Sequence, residues 1–123
     1  MKESKTYEED DVFLIPLKWK RGDDVGQVIS LVNEQDEPMD FTGCRFDLHI
    51  KPQKKGEVIK LSSETGGIVV ENGEVSFQVR HEQTENVTWE LASWDLQCIN
   101  AEGMVRTLCG GEIELEPDVT RRE

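Results

Sequence analysis

The sequence has 123 residues, enough for one hydrophobic core and too few for a second, catalytic domain. Its 26 acidic residues against 14 lysines and arginines give a formal net charge of −12 at pH 7. Because such a surface repels phosphate backbones and anionic lipids, we expect neither nucleic acid nor membrane as a partner. No run approaches the roughly 18 apolar residues that span a bilayer, and the opening segment MKESKTYEEDDVF is acidic where a secretory signal would be apolar. These features predict a protein made in a reducing cytoplasm.

The apolar residues recur in short runs with the period of β-strands. The run that follows Cys44 is the clearest, because Phe46, Leu48 and Ile50 share one face and polar residues alternate with them. Runs of this kind are separated by turn signals at spacings of roughly ten residues. They predict strands near residues 12–19, 25–32, 40–52, 56–61, 66–70, 75–79, 89–99 and 104–115.

Turn and breaker residues add detail to the first part of this pattern. Pro16 cannot donate a ladder hydrogen bond, so the first run is expected at a sheet edge or at a switch between sheets. The polar segment at 33–38 predicts a hairpin loop before the next strand. Asn72 and Gly73 predict the tight turn of a second hairpin, and Phe77 in its second arm is expected to face inward.

The second part of the chain contains the one interruption of the strand pattern. Residues 81–88 have room for no more than about one helical turn. After them, Trp94 and Leu96 share the inward face of a strand. Gly110 and Gly111 lie in the middle of the last strand, where paired glycines predict a bulge or a close approach of neighbouring backbone.

Together these signals predict an all-β protein. The expected architecture is an antiparallel immunoglobulin-like β-sandwich of about seven or eight strands, with a small β-barrel as the alternative. The sandwich is expected to occupy residues 12–117 as a single domain. Residues 1–11 predict a flexible acidic N-terminal tail, and residues 118–123 a polar C-terminal tail.

Residue types that often carry chemistry do not form a recognisable catalytic or metal site in the sequence. Cys44, Cys98 and Cys109 lie in apolar or strand-like runs and are expected to be buried free thiols. Their spacing from His49 and His81 does not fit a zinc site. We expect no metal, no cofactor and no catalytic residue, and therefore no enzyme. Four acidic residues are predicted on solvated sheet faces: Asp47, Asp95, Glu112 and Glu114.

The sequence predicts one group of residues as an interaction surface and another as the structural core. Trp89 comes where a strand is predicted to begin and is expected to be partly exposed. With Lys51, Lys54 and Lys55 of the basic loop KPQKK, it forms the candidate interaction surface. The predicted structural core contains Phe46, Leu48, Ile50, Phe77, Trp94 and Leu96.

The order of four motifs resembles that of small tail-associated proteins of bacteriophages and prophages, a group similar to the N-terminal immunoglobulin-like domain of phage baseplate upper proteins. These motifs are KRGDD (20–24), EPMDFTGCRFDLHIKP (37–52), IVVENGEVSFQV (68–79) and ASWDLQCINAEGMVRTLCGGEIELEPDVTR (92–121). The likeness covers about residues 20–121. Its matching positions are Arg21, Gly22, Asp23, Pro38, Asp40, Thr42, Gly43, Trp94, Asp95, Leu96, Gly111, Ile113, Val119, Thr120 and Arg121.

The resemblance implies a non-enzymatic structural or assembly protein of a phage tail, baseplate or neck, acting through protein–protein contacts. It implies other virion proteins as partners, homo-oligomeric rings of three or six copies, and a location in the host cytoplasm during assembly and then in the virion. A sandwich without a pocket acts through its edges and loops. The residues alone leave one alternative open: a small acidic binding module for a host protein or a carbohydrate, acting through Trp89 and the basic loop.

Overall fold

In the computed structural model, which describes residues 2–6, 12–33 and 35–119, two β-sheets pack around one hydrophobic core. The four-stranded sheet has the order β1-β4-β8-β7. The six-stranded sheet has the order β2-β10-β9-β5-β6, with β3 also paired to β10. The elements are β1 (Lys2–Thr6), β2 (Phe13–Leu14), β3 (Leu17–Lys20), β4 (Val25–Val32), β5 (Arg45–Pro52), β6 (Ile59–Ser62), β7 (Ile68–Glu71), β8 (Glu74–Val79), α1 (His81–Thr84), β9 (Leu91–Ile99) and β10 (Val105–Glu116).

This architecture confirms the predicted antiparallel immunoglobulin-like β-sandwich. Most neighbouring strands are antiparallel, while β1 runs parallel to β4 and both β2 and β3 run parallel to β10. In the described part of the chain the two sheets do not close into the alternative barrel. The structure contains more strands than predicted because β1 is added and the first predicted strand is divided into β2 and β3.

The division between β2 and β3 occurs at Ile15 and Pro16, where the backbone lies close to the paired glycines of β10. The Ile15 amide donates to the Gly110 carbonyl oxygen at 2.8 Å. A Cβ atom on Gly111 would lie only 2.6 Å from the carbonyl oxygen of Ile15. The close backbone approach predicted from the glycine pair is therefore confirmed, and so is the edge position of Pro16.

Part of the predicted N-terminal tail has a different structure. Lys2–Thr6 forms β1 and pairs with β4, in register from Lys2 opposite Val28 to Thr6 opposite Val32. The strand ladder satisfies backbone groups and does not require apolar side chains, so a polar sequence gives no signal for it. Residues 1 and 7–11 of the predicted tail lie outside the described residues, as do residues 120–123 of the predicted C-terminal tail.

The predicted hairpin at 33–38 is wrong, because β4 and β5 belong to different sheets. The local reversal does form: Val32 bridges to Pro38, and the Asn33 amide donates to the Glu37 carbonyl oxygen at 2.8 Å. The chain then crosses to the six-stranded sheet. Turn residues determine the reversal, but they do not determine which sheet receives the following strand. The crossing places residues 38–44 at one end of the sandwich.

The hairpin predicted at Asn72 and Gly73 is confirmed. Both residues have positive φ, 50° and 75° respectively, and they join β7 to β8. The only helix in the described residues is the single turn α1, and it is too short to cross a membrane. The structure buries all six side chains assigned to the core, which are Phe46, Leu48, Ile50, Phe77, Trp94 and Leu96.

Candidate interaction surfaces

The described residues contain no group of three or more histidines, cysteines or acids that could hold a metal ion. Two of the three thiols, those of Cys98 and Cys109, are not activated either. Burial, followed by a hydrogen bond with Cys44, raises the pKa of Cys98 to about 12. Burial, followed by the nearby charge of Asp95, raises the pKa of Cys109 to about 12. Both thiols are therefore protonated at neutral pH and are poor nucleophiles.

The sequence predicts that Trp89 is partly exposed, and this prediction is wrong. Trp89 belongs to the hydrophobic core. Its side chain is 5% exposed, and its indole nitrogen is buried with no hydrogen-bond partner among the described residues. The loop that follows β5 covers the ring, because a Cβ on Gly56 would lie 3.2 Å from Trp89 Cδ1. Strand β9 begins at Leu91, so Trp89 precedes it and strand alternation does not set the direction of its side chain.

The structure brings together only part of the predicted basic surface. Lys54 and Lys55 line an open cleft of about 410 Å³, and the largely buried Trp89 is also among its lining residues. Lys51 lies instead on the outer face of the six-stranded sheet, where it lines a second depression with Asp47 and Asp95. Lys51 and the pair Lys54–Lys55 therefore belong to different surfaces.

The Arg-Gly-Asp tripeptide forms a turn that is fastened to the region of α1. The Arg21 guanidinium donates to the Trp89 carbonyl oxygen at 3.2 Å, and the Gly22 amide donates to Oγ1 of the buried Thr84 at 2.9 Å. One residue further on, Asp24 Oδ1 accepts from the His81 amide at 2.7 Å. These bonds give the motif a structural role in joining the β3–β4 turn to the segment before β9.

The bond between Asp24 and His81 predicts a pH-dependent contribution to stability. Hydrogen bonding from the His81 amide holds the pKa of Asp24 below its ordinary value of 3.8. Since the folded-state pKa is depressed, the contribution is present above the unfolded pKa and is lost as pH falls through the folded pKa. We expect Asp24→Asn to flatten the fall in the free energy of unfolding below about pH 4. Urea unfolding at a series of pH values checks this, and equally steep curves for both proteins would contradict it.

A third surface cleft lies between residues 38–44 and the edge of β7 that no described strand occupies. Its volume is about 740 Å³. The apolar side chains along it include the half-buried Met39 and Phe41 and the exposed Val69, and Asp40 and Glu71 supply negative charge. The sequence contains no signal for this cleft, because its two walls are about thirty residues apart and the hairpin predicted at 33–38 would keep β4 and β5 in one sheet.

The wall of this cleft opposite β7 is held by local bonds. The Met39 amide donates to the Leu31 carbonyl oxygen at 3.0 Å, and the Leu31 amide donates to the carbonyl oxygen of Gly73 at 2.9 Å. The ring of Phe41 packs edge-on against Phe46 with a centroid distance of 5.1 Å. These contacts connect the wall to the β7–β8 turn and to the core, so the cleft is part of the folded scaffold.

No family model and no curated protein matches this chain. Among solved structures, the chain is similar to the N-terminal domain of phage TP901-1 ORF48. The two share 13% sequence identity, the match covers 94% of this chain and 98% of the other, and the TM-score is 0.59. At this identity the likeness concerns the fold. The chain therefore has the fold of a phage protein domain, in agreement with the resemblance indicated by its sequence motifs.

Proposed function

We propose that this protein is a non-enzymatic structural or assembly component of a phage or prophage tail, baseplate or neck, and that it acts through protein–protein contacts. The observation that carries the proposal is the likeness of nearly the whole chain to a domain of a phage protein. The ordered motifs of the sequence, which resemble baseplate upper proteins, support the same role. Copies arranged in rings of three or six would match the symmetry of tails and baseplates.

The thiol chemistry and the charge of the chain support contacts with other proteins rather than catalysis. Of the described thiols, Cys98 and Cys109 are held protonated. The charge of −12 keeps free copies apart and favours a partner with a basic surface. An open groove beside a sheet edge is a common site for an added strand. The proposed partners are therefore other virion proteins.

Quantitative mass spectrometry of purified particles from a strain that carries the gene tests this function. We expect the protein in mature particles, at a copy number that is a multiple of three relative to a known tail protein. Its absence from both mature particles and assembly intermediates isolated from infected cells would contradict the proposal.

The alternative of a small acidic module that binds a host protein or a carbohydrate through Trp89 and the basic loop has lost its main support. Stacking on a sugar requires an accessible aromatic face, and Trp89 is buried. Lys54 and Lys55 are left at their cleft without an exposed tryptophan. We therefore propose no second function.

A further inference from the structure

Strand β7 has one paired side and one open side. It pairs with β8 and is the last strand of its sheet, so no strand of the described chain occupies its other edge. Glu71 and Glu74 flank the two-residue turn and form the first hydrogen-bonded pair of the hairpin. Hydrogen-bonded pairs alternate along an antiparallel ladder, so Val69 also bonds to β8. The backbone groups of Ile68 and Val70 consequently face the open edge.

A hydrogen bond just before β7 supports the same alternation between residues that bond to β8 and residues that face the open edge. The Gln78 amide donates to the Gly67 carbonyl oxygen at 3.3 Å, as expected if residues 67, 69 and 71 bond toward β8. Two amide donors and two carbonyl acceptors, those of Ile68 and Val70, are therefore directed into the cleft of about 740 Å³. These are the groups that an added strand uses.

The edge of β7 also lacks the protection present on other edges. Edge strands are commonly guarded by lysine. Lys60 occupies this position on β6, and Lys18 and Lys20 occupy it on β3. Strand β7 has the sequence IVVE, with the Val69 side chain 56% exposed. Among the described edge strands of at least four residues, β7 is the one without a lysine, which makes it the edge most open to a partner.

The charges and the apolar groups around the cleft indicate the chemistry of that partner. Asp40 and Glu71 line the cleft, and no lysine or arginine is among the described residues that line it. Residues of an incoming strand beside Ile68 and Val70 would point into the apolar gap between the sheets. Residues beside Val69 and Glu71 would point toward solvent and the acidic rim. A second copy of this chain fits poorly, because it carries the same charge of −12.

We propose that the free edge of β7 accepts an extended segment of another virion protein, in which apolar residues alternate with lysine or arginine. The segment adds a strand of about four residues to the four-stranded sheet, matching the length of β7. That the donor is a virion protein rests on the proposed function. That the edge accepts a basic, alternating strand rests on the geometry and charge of the cleft.

A short synthetic peptide of alternating lysine and valine tests the edge directly. We expect saturable binding, and amide hydrogen exchange of Ile68 and Val70 slowed by about tenfold, while Val69, already bonded to β8, changes little. The same peptide with N-methylated amides is expected not to bind, because it cannot donate to the edge. Failure of the unmodified peptide to bind, or protection confined to residues away from β7, would overturn the proposal.

Two matched variants separate the edge from general charge effects. Val69→Lys places an edge-guarding lysine on β7 and is expected to weaken peptide binding by about tenfold. Val58→Lys makes the same change beside β6, where the side chain is 38% exposed, and is expected to leave binding unchanged. Equal effects of the two variants would contradict the proposal. Self-association that Val69→Lys abolishes, without peptide binding, would identify a second copy as the occupant and overturn the choice of a basic partner.

The copy numbers of the wild-type protein and of the two variants in purified particles distinguish this inference from the proposed function. If the wild-type protein is present in particles and Val69→Lys is present at the same copy number, the edge does not hold the partner, although the proposed function stands. If Val69→Lys is depleted from particles and Val58→Lys is not, the β7 contact and the proposed function are both supported. If the wild-type protein is absent from particles and intermediates, the virion role fails, and the peptide experiment alone decides whether β7 accepts a strand.

Discussion

Replacing Trp94 with alanine is expected to lower the free energy of unfolding by about 3–5 kcal/mol, the usual cost of deleting a large buried aromatic side chain. Trp94 is 4% exposed and lies in β9 of the six-stranded sheet. Its ring packs against Phe77 of the four-stranded sheet, with a centroid distance of 6.0 Å and a tilt of 42°. The indole nitrogen also donates to the Ile15 carbonyl oxygen at 3.2 Å. The variant therefore loses packing between the sheets and an anchor for the segment between β2 and β3.

Urea unfolding followed by far-ultraviolet circular dichroism measures this loss. Trp94→Phe is the matched control, because it keeps most of the packing and removes the donor to Ile15. It is expected to cost about 1–3 kcal/mol, since a carbonyl oxygen near the core loses its partner. An unfolding midpoint that Trp94→Ala leaves unchanged would show that this tryptophan does not hold the two sheets together.

The parts of the fold that the sequence predicts are those determined by neighbours along the chain. Alternation in β5 places Phe46, Leu48 and Ile50 on one face, and the structure buries all three. Asn72 and Gly73 mark their turn because few residues adopt positive φ at low cost. Both signals lie within a few residues of the feature that they predict.

Other features of the fold depend on pairing between distant segments. The sequence shows that residues 33–38 reverse the chain, but not that β5 then joins β9 rather than β4. It gives no sign of β1, whose ladder with β4 is made by the backbone. The sequence-based prediction for Trp89 is wrong for a related reason, because Trp89 lies outside the strand whose alternation would orient it. In each case the deciding contact is remote in sequence.

The candidate surfaces likewise combine features that neighbouring residues determine with features that depend on distant segments. The basic residues of the loop after β5 could be identified by composition, but composition did not show that Lys51 faces away from Lys54 and Lys55. The β7 cleft has no sequence signal, because it requires residues 38–44 to cross the end of the sandwich beside an edge of β7 that no described strand occupies. The strand addition proposed for β7 depends on which sheet edge remains open. That property belongs to the sheet order, which local patterns do not encode.

Replacing Gly110 with alanine is expected to destabilise the domain by about 1–3 kcal/mol, the range for forcing an extra methyl group into a packed site. A Cβ atom at this position would lie 2.5 Å from the Trp94 carbonyl oxygen and 3.2 Å from Asp95 Cα. Both obstacles are backbone atoms of β9, so the clash cannot be relieved by rotating a side chain. Strands β9 and β10 must therefore move apart, and this movement disturbs the part of β9 that carries Trp94. Thermal and urea unfolding measure the cost.

Gly26→Ala is the matched control for this substitution. Gly26 is also a strand glycine, in β4, but no atom lies within 4 Å of the Cβ that alanine would add. It is expected to leave stability unchanged or to raise it by about 0.5 kcal/mol, because alanine restricts the unfolded chain more than glycine does. A destabilised Gly110→Ala beside an unaffected Gly26→Ala would assign the loss to the close approach of β9 and β10. Equal losses would instead indicate a general intolerance of the strands to a larger residue and would contradict this account of the paired glycines.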